Sequence, residues 1–155
     1  MKVVRRGIFE TNSSSTHAMT ICTKEEHDKW KKGEMYYYEE QLITPEENDK
    51  ILRNHLLDYL IERDYNKHTI TLDDITYECK DWEGMMNKIE ELKTPERLNK
   101  ITPKEIEIYR KTHKEECPQT YKEYEIFLEY KPYSENYISP SGDKLVIFGY
   151  SGYDG

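Results

Sequence analysis

Apolar residues come in short bursts along this chain, and their spacing changes between the ends and the middle. At the start, Val3, Val4, Ile8 and Phe9 predict a short strand within Met1 to Phe9. Eight polar residues follow, ending at His17, and then Ala18 to Cys22 (AMTIC) predicts a second strand. Near the other end, Leu145 to Tyr150 (LVIFGY) is the clearest strand, short and apolar, with Ser141-Gly142-Asp143 supplying a turn before it.

Between these strands the spacing is helical. Thr23 with Glu26 forms the signature of a capping box, and the helix it opens ends at Gly33 after Lys31 and Lys32. Met35 to Tyr38 (MYYY) reads as a strand. Thr44-Pro45-Glu46-Glu47 opens a second helix, whose apolar face is Ile51, Leu52, His55, Leu56, Tyr59 and Leu60 and whose end falls near Asp64. Thr69 to Tyr77 reads as a short strand and turn. Trp82, Met85, Met86, Ile89 and Leu92 mark a third helix, despite Gly84. Thr94-Pro95-Glu96-Arg97 and Thr102-Pro103-Lys104-Glu105 open two more, the second with a capping box. Thr120 to Tyr130 (TYKEYEIFLEY) fits a helix or a strand equally. The expectation is one α+β domain over residues 1–155, with a small, mostly antiparallel sheet joining both chain ends and helices from the middle of the chain.

Composition adjusts this picture. Apolar and charged residues each make up 35% of the 155 residues, so the core is thin, but 14 tyrosines enlarge it. A tyrosine ring buries a large area while its hydroxyl stays wet or bonded. The net charge of −8 argues against general nucleic-acid binding, which needs Lys and Arg on the contact face. The charge is uneven: residues 1–32 carry +3, which leaves −11 for the rest. A locally basic start on an acidic body suits a small anionic ligand better than a long polyanion. Cys22, Cys79 and Cys117 are too scattered for a disulfide framework or a zinc knuckle, and a reducing cytoplasm fits them. No apolar stretch approaches the roughly 20 residues that span a bilayer, and no signal peptide is expected.

The chemistry concentrates in RRGIFETNSSSTH, residues 5 to 17. Ser13, Ser14, Ser15 and Thr16 offer hydroxyls and backbone N–H groups, which can form a concave nest for phosphate or carboxylate. Arg5 and Arg6 can contact phosphate oxygens in bidentate fashion, and Gly7 lets the backbone approach closely. Glu10 and Asn12 can orient a ribose or a base edge. His17 can donate a hydrogen bond or act as a general base. The spacing is not that of a P-loop, and the same residues would serve in a plain hairpin loop that satisfies its own backbone. At the other end, GYSGYDG places Tyr150 and Tyr153 where they can stack on a base, and Asp154 where it can accept from a ribose or pair with Arg5, Arg6 or His17.

The opening string R-x-G-x-F-E-T-N-S-S-S-x-H resembles the start of a group of small proteins of Firmicutes and their phages, and the tail SGDKLVIFGYSGYDG is similar to the end of the same group. The resemblance covers about 30 residues at the two ends and none of the middle. It carries no activity with it. It implies a phage or mobile-element setting, in which small acidic proteins counter host defence.

Other chemistry is sparse. His113 and Cys117 are four apart but lack a third ligand, His27, His55 and His68 are isolated, and no metal or cofactor is expected. His55 falls on an apolar helix face and reads as a core or boundary residue. The leading expectation is therefore a cytoplasmic binding module for a small phosphorylated ligand, a nucleotide or nucleotide-derived signal. Arg5, Arg6, Glu10, Asn12, Ser13, Ser14, Ser15, Thr16, His17, Tyr150 and Asp154 would form its site, and sequestration of a host-defence signal would be its role. Two alternatives stand beside it: a phosphodiesterase using His17 as base, and an acidic, anti-CRISPR-like inhibitor that meets a host defence protein through its acidic surface. Self-association is left open.

Overall fold

The computed structural model describes residues 4–10, 15–127 and 131–153. In chain order the elements are β1 (Val4–Glu10), β2 (Ser15–Thr23), α1 (Lys24–Lys31), β3 (Tyr36–Tyr38), β4 (Gln41–Ile43), α2 (Pro45–Leu60), β5 (Glu62–Asp64), β6 (Thr69–Leu72), β7 (Ile75–Glu78), α3 (Trp82–Leu92), α4 (Pro95–Lys100), α5 (Pro103–Thr112), a single 3₁₀ turn (Lys114–Glu116), α6 (Tyr121–Phe127), β8 (Lys131–Ile138) and β9 (Lys144–Tyr153). The fold is α+β, and one antiparallel sheet in the order β1-β2-β9-β8 joins strands from both ends of the chain. The chain forms two compact units, Met1–Asn48 with Pro118–Gly155, and Asp49–Cys117, a division the sequence pattern did not announce.

The first unit is built on the four-stranded sheet. Alternation along β2 and β9 buries Thr20, Cys22, Val146 and Phe148 on one face. Helix α1 begins where the capping box predicts. The Thr23 amide and hydroxyl donate to Glu26 Oε1 at 3.1 and 2.8 Å, and the Glu26 amide donates back to Thr23 Oγ1 at 3.1 Å. Its end is a Schellman motif: Gly33 N–H bonds Trp30 O at 3.0 Å and Glu34 N–H bonds Lys29 O at 2.8 Å. That geometry needs φ of +83° at Gly33, which a residue without Cβ adopts freely. The buried face of α1 is Glu26, His27 and Trp30. Trp30 anchors a core with Cys22, Met35, Leu42, Tyr124, Val146 and Phe148. Its indole N–H donates to Gln119 O at 3.2 Å, and Gln119 exchanges two backbone hydrogen bonds with Tyr37, each 2.8 Å. The ambiguous stretch from Thr120 resolves as helix over Tyr121–Phe127, with residues 128–130 outside the described residues.

The second unit packs α2, α3, α4 and α5 with the sheet β5-β6-β7 around Leu52, Leu56, Leu57, Ile61, Ile70, Met85, Ile89 and Ile106. Here α2 differs from expectation. It stops at Leu60 because β5 begins at Glu62, and Tyr59 and Leu60 are exposed while Leu57 and Ile61 are buried. The buried stripe is thus turned toward Leu57, and Ile61 just past the helix end continues it. His55 is half-buried, as expected. Thr69 to Tyr77 is a hairpin whose turn, Asp73-Asp74, has φ of +52° and +64°, the two-residue left-handed turn that matches strand twist. Arg53 fastens α2 to the end of α4: Nη1 donates to Leu98 O at 2.8 Å and Ile101 O at 2.6 Å, while Nε meets Asp49 Oδ2 at 2.7 Å. The two Nη1 bonds are charge-assisted and fall on carbonyls at the end of α4. Among the described residues, no helix is long and apolar enough to cross a membrane.

Candidate functional site

The sheet register decides which of the sequence-selected residues meet. Arg5, Arg6 and Glu10 lie in β1, opposite Thr20, Met19 and Thr16. The register between Arg6 and Phe9 is interrupted by a bulge. Ser15, Thr16 and His17, read from the sequence as loop, are the first residues of β2. They stand opposite Tyr153, Gly152 and Ser151 of β9, and Ala18 stands opposite Tyr150. The strand reaches back into the polar segment because β9 extends to Tyr153 and gives its backbone partners. The expected adjacency of the two chain ends is therefore present as a strand pair. Arg5 and Arg6 pair two to three positions further along β2 than His17. Asn12, Ser13, Ser14 and Asp154 lie outside the described residues.

Next to this pairing, the first unit contains a cavity of about 180 Å³. Helix α1 lines it with His27 and Trp30, α6 with Tyr121, Tyr124 and Glu125, β8 with Pro132, Tyr133 and Ser134, and β9 with Phe148. Pro132 is opposite Tyr150 across the β8–β9 pair, and Ser134 is opposite Phe148. The helices deliver their rings by i, i+3 spacing, His27 with Trp30 and Tyr121 with Tyr124, which puts each pair on one helix face. Trp30 meets Tyr121 and Tyr124 edge to face at 5.0 and 5.1 Å, while Phe148 lies tilted against Trp30 at 4.9 Å and against His27 at 5.5 Å.

Two polar groups in this wall are nearly inaccessible. Tyr124 is 6% exposed and its hydroxyl has no hydrogen-bond partner among the described residues. His27 is 4% exposed, and its ring packs against Trp30, Tyr121 and Phe148. Burial, then the nearby phenols of Tyr37, Tyr150, Tyr133 and Tyr121, push Tyr124 well above the ordinary tyrosine value. Tyr150, chosen from the sequence, stands opposite Pro132 of the cavity wall. Burial first, and then the charge of Lys31, hold His27 below its ordinary value of 6.5.

The His27 shift has a measurable consequence. Its folded value lies below its unfolded one, so the unfolded chain binds the extra proton first as pH falls. The stability it supports is complete above the unfolded value of 6.5 and drains away as pH drops through it. The groups around His27 are Lys24, Asp28 and Lys31 on its own helix, Tyr121 and Glu125 on α6, and Tyr133 on β8. Calorimetric scans from pH 7.5 downward should show Tm falling from about pH 6.5. His27→Gln should flatten that limb, and an unchanged slope in the variant would refute the assignment.

Comparison with family models, with curated proteins and with solved structures finds no match for this chain. Among the described residues no group of three or more His, Cys, Asp or Glu side chains comes together to hold a metal ion. The His113 ring lies against Tyr109, stacked at 4.3 Å, with Nδ1 at 2.8 Å from Thr112 Oγ1. Sequence reasoning left this wall out of the site: His27, Trp30, Tyr121 and Tyr124, whose signal was the repeated aromatic i, i+3 spacing, and Tyr133 and Ser134, which carried no such signal.

Proposed function

We propose that this chain is a binding module for a small phosphorylated ligand, a nucleotide or a nucleotide-derived signal. One observation carries the reading: Ser15, Thr16 and His17 pair directly with the tail segment Ser151 to Tyr153, beside Tyr150. Hydroxyl-bearing and aromatic positions chosen independently at the two chain ends thereby share one end of one sheet. In this reading Arg5 and Arg6 supply positive charge, and the hydroxyls and amides of Asn12, Ser13, Ser14, Ser15 and Thr16 hold phosphate oxygens. Glu10 and Asp154 accept from the sugar, and His17 and Tyr150 close the site. The resemblance of the end strings supports a phage setting, in which the module sequesters a host-defence signal.

Calorimetric titration with nucleoside monophosphates, cyclic mononucleotides and cyclic dinucleotides tests this. At least one should bind and be recovered intact after denaturation. Arg5→Ala combined with Arg6→Ala should weaken it at least tenfold, since charge-assisted hydrogen bonds contribute about 1.5–3 kcal/mol each. A ligand recovered as hydrolysed product replaces this reading with the phosphodiesterase one, with His17 as base. No binding across the panel, together with a stoichiometric protein partner in native mass spectra of the purified protein, replaces it with the acidic inhibitor.

A further inference from the structure

We propose that the cavity between α1, α6, β8 and β9 holds a neutral planar heteroaromatic ring, the base of a nucleotide, with Tyr124 and His27 hydrogen-bonding its edge. This rests on the nucleotide reading above and specifies where the base goes. At about 180 Å³ the cavity is smaller than the roughly 300–1,000 Å³ pockets that enclose whole drug-sized ligands. It fits one ring system rather than an entire nucleotide.

The lining chemistry points the same way. Trp30, Tyr121, Tyr124 and Phe148 offer ring faces and edges, which suit a π-system. The Tyr124 hydroxyl is buried without a partner, and a buried polar group in that state is stabilised by any ligand atom that completes its hydrogen bond. His27, whose ring stands in the cavity wall against Phe148, offers one donor and one acceptor while neutral. Its depressed value keeps it in that form at neutral pH. That donor–acceptor pair complements the edge of a base. Among the described residues no cation lines the cavity, and the one charged residue there is the carboxylate-bearing Glu125, so a phosphate is unwelcome. The phosphate end has somewhere to go. Pro132 in the cavity wall, Tyr150 and Ala18 are aligned across β8, β9 and β2. Two strand spacings, about 10 Å, therefore separate the cavity from the strand that carries Ser15 to His17.

The test uses the full chain carrying Trp82→Phe, which leaves Trp30 in the cavity wall as the fluorophore. The probes are adenosine, guanosine, cytidine and uridine, their monophosphates, and inorganic phosphate. At least one nucleoside should quench Trp30 emission saturably, and its monophosphate should bind tighter. Tyr124→Phe should weaken both by about five- to tenfold, the value of one hydrogen bond, while leaving Tm unchanged or raised. Ser134→Phe, a substitution at an exposed strand position on the cavity rim, should abolish the quenching. The assignment is overturned if no nucleoside quenches, or if Tyr124→Phe lowers Tm, which would mean its hydroxyl is already bonded in the free protein. It is also overturned if both variants bind the monophosphate as the parent does, although the phosphate reading then survives. A nucleoside that binds as tightly as its monophosphate upholds the cavity and removes the phosphate reading.

Discussion

Trp30→Ala is expected to lower the stability of the first unit by about 3–5 kcal/mol, the range for removing a large buried aromatic. The residue is 1% exposed. Its ring lies within 5.1 Å of Tyr121, Tyr124 and Phe148, and 5.8 Å from His27 and Tyr37, so one truncation strips contacts from five other rings. The lost hydrogen bond adds little. Gln119 O also accepts from Tyr37 N–H at 2.8 Å and stays satisfied when the indole is gone. The deficit is therefore cavity and packing, and Trp30→Phe should recover part of it. Urea titrations followed by circular dichroism read the difference. A loss below about 1 kcal/mol, typical of an ordinary surface or boundary site, would mean that the aromatic cluster is not what holds this unit.

The second large effect belongs to the other unit. Ile70 is fully buried at the centre of β6, the middle strand of its sheet, opposite Arg63 and Tyr77. Ile70→Ala should cost about 2–5 kcal/mol, and Ile70→Val only about 0.5–1.5 kcal/mol, because valine keeps the β-branch and most of the volume. Hydrogen exchange checks it: amides of β6 and its strand partners should lose protection in proportion to the volume removed. Equal effects of the two substitutions would show that the site collapses around the smaller side chain, contrary to a tightly packed centre.

Much of this architecture was legible in the sequence, for identifiable reasons. Thr23, Thr44 and Thr102, each followed three residues later by Glu, announced three helices, and all three boxes form. The apolar run Leu145 to Tyr150 declared the central strand. Polar strands were harder to read. KPYSENYI, which is β8, shows neither clean alternation nor an apolar run, and Pro132 suppresses a strand reading although an edge position tolerates it. Ser15 to His17 read as loop because their composition is polar, yet Thr16 and His17 pair with β1 nearby and all three pair with a strand more than 130 positions away. The apolar face of α2 was misplaced by one step of the helix because both Tyr59 and Leu57 satisfy the same periodicity, and only packing chooses. The site was half legible. The hydroxyl-rich segment drew notice by its composition, but the aromatic cavity is assembled from four elements, each unremarkable alone. Only the shared spacing of His27 with Trp30 and Tyr121 with Tyr124 hinted at it.

The strand order β1-β2-β9-β8 sets a schedule for vectorial synthesis. β2 emerges early and must wait for β9, while everything from Asp49 to Cys117 is translated in between. That intervening stretch is contiguous and can begin to fold as it leaves the ribosome, whereas the nascent hairpin β1–β2 presents an open backbone edge throughout the interval. Maturation of this protein should thus be paced by closure of its longest-range strand pair, the step in which contacts far apart in sequence are slowest to form.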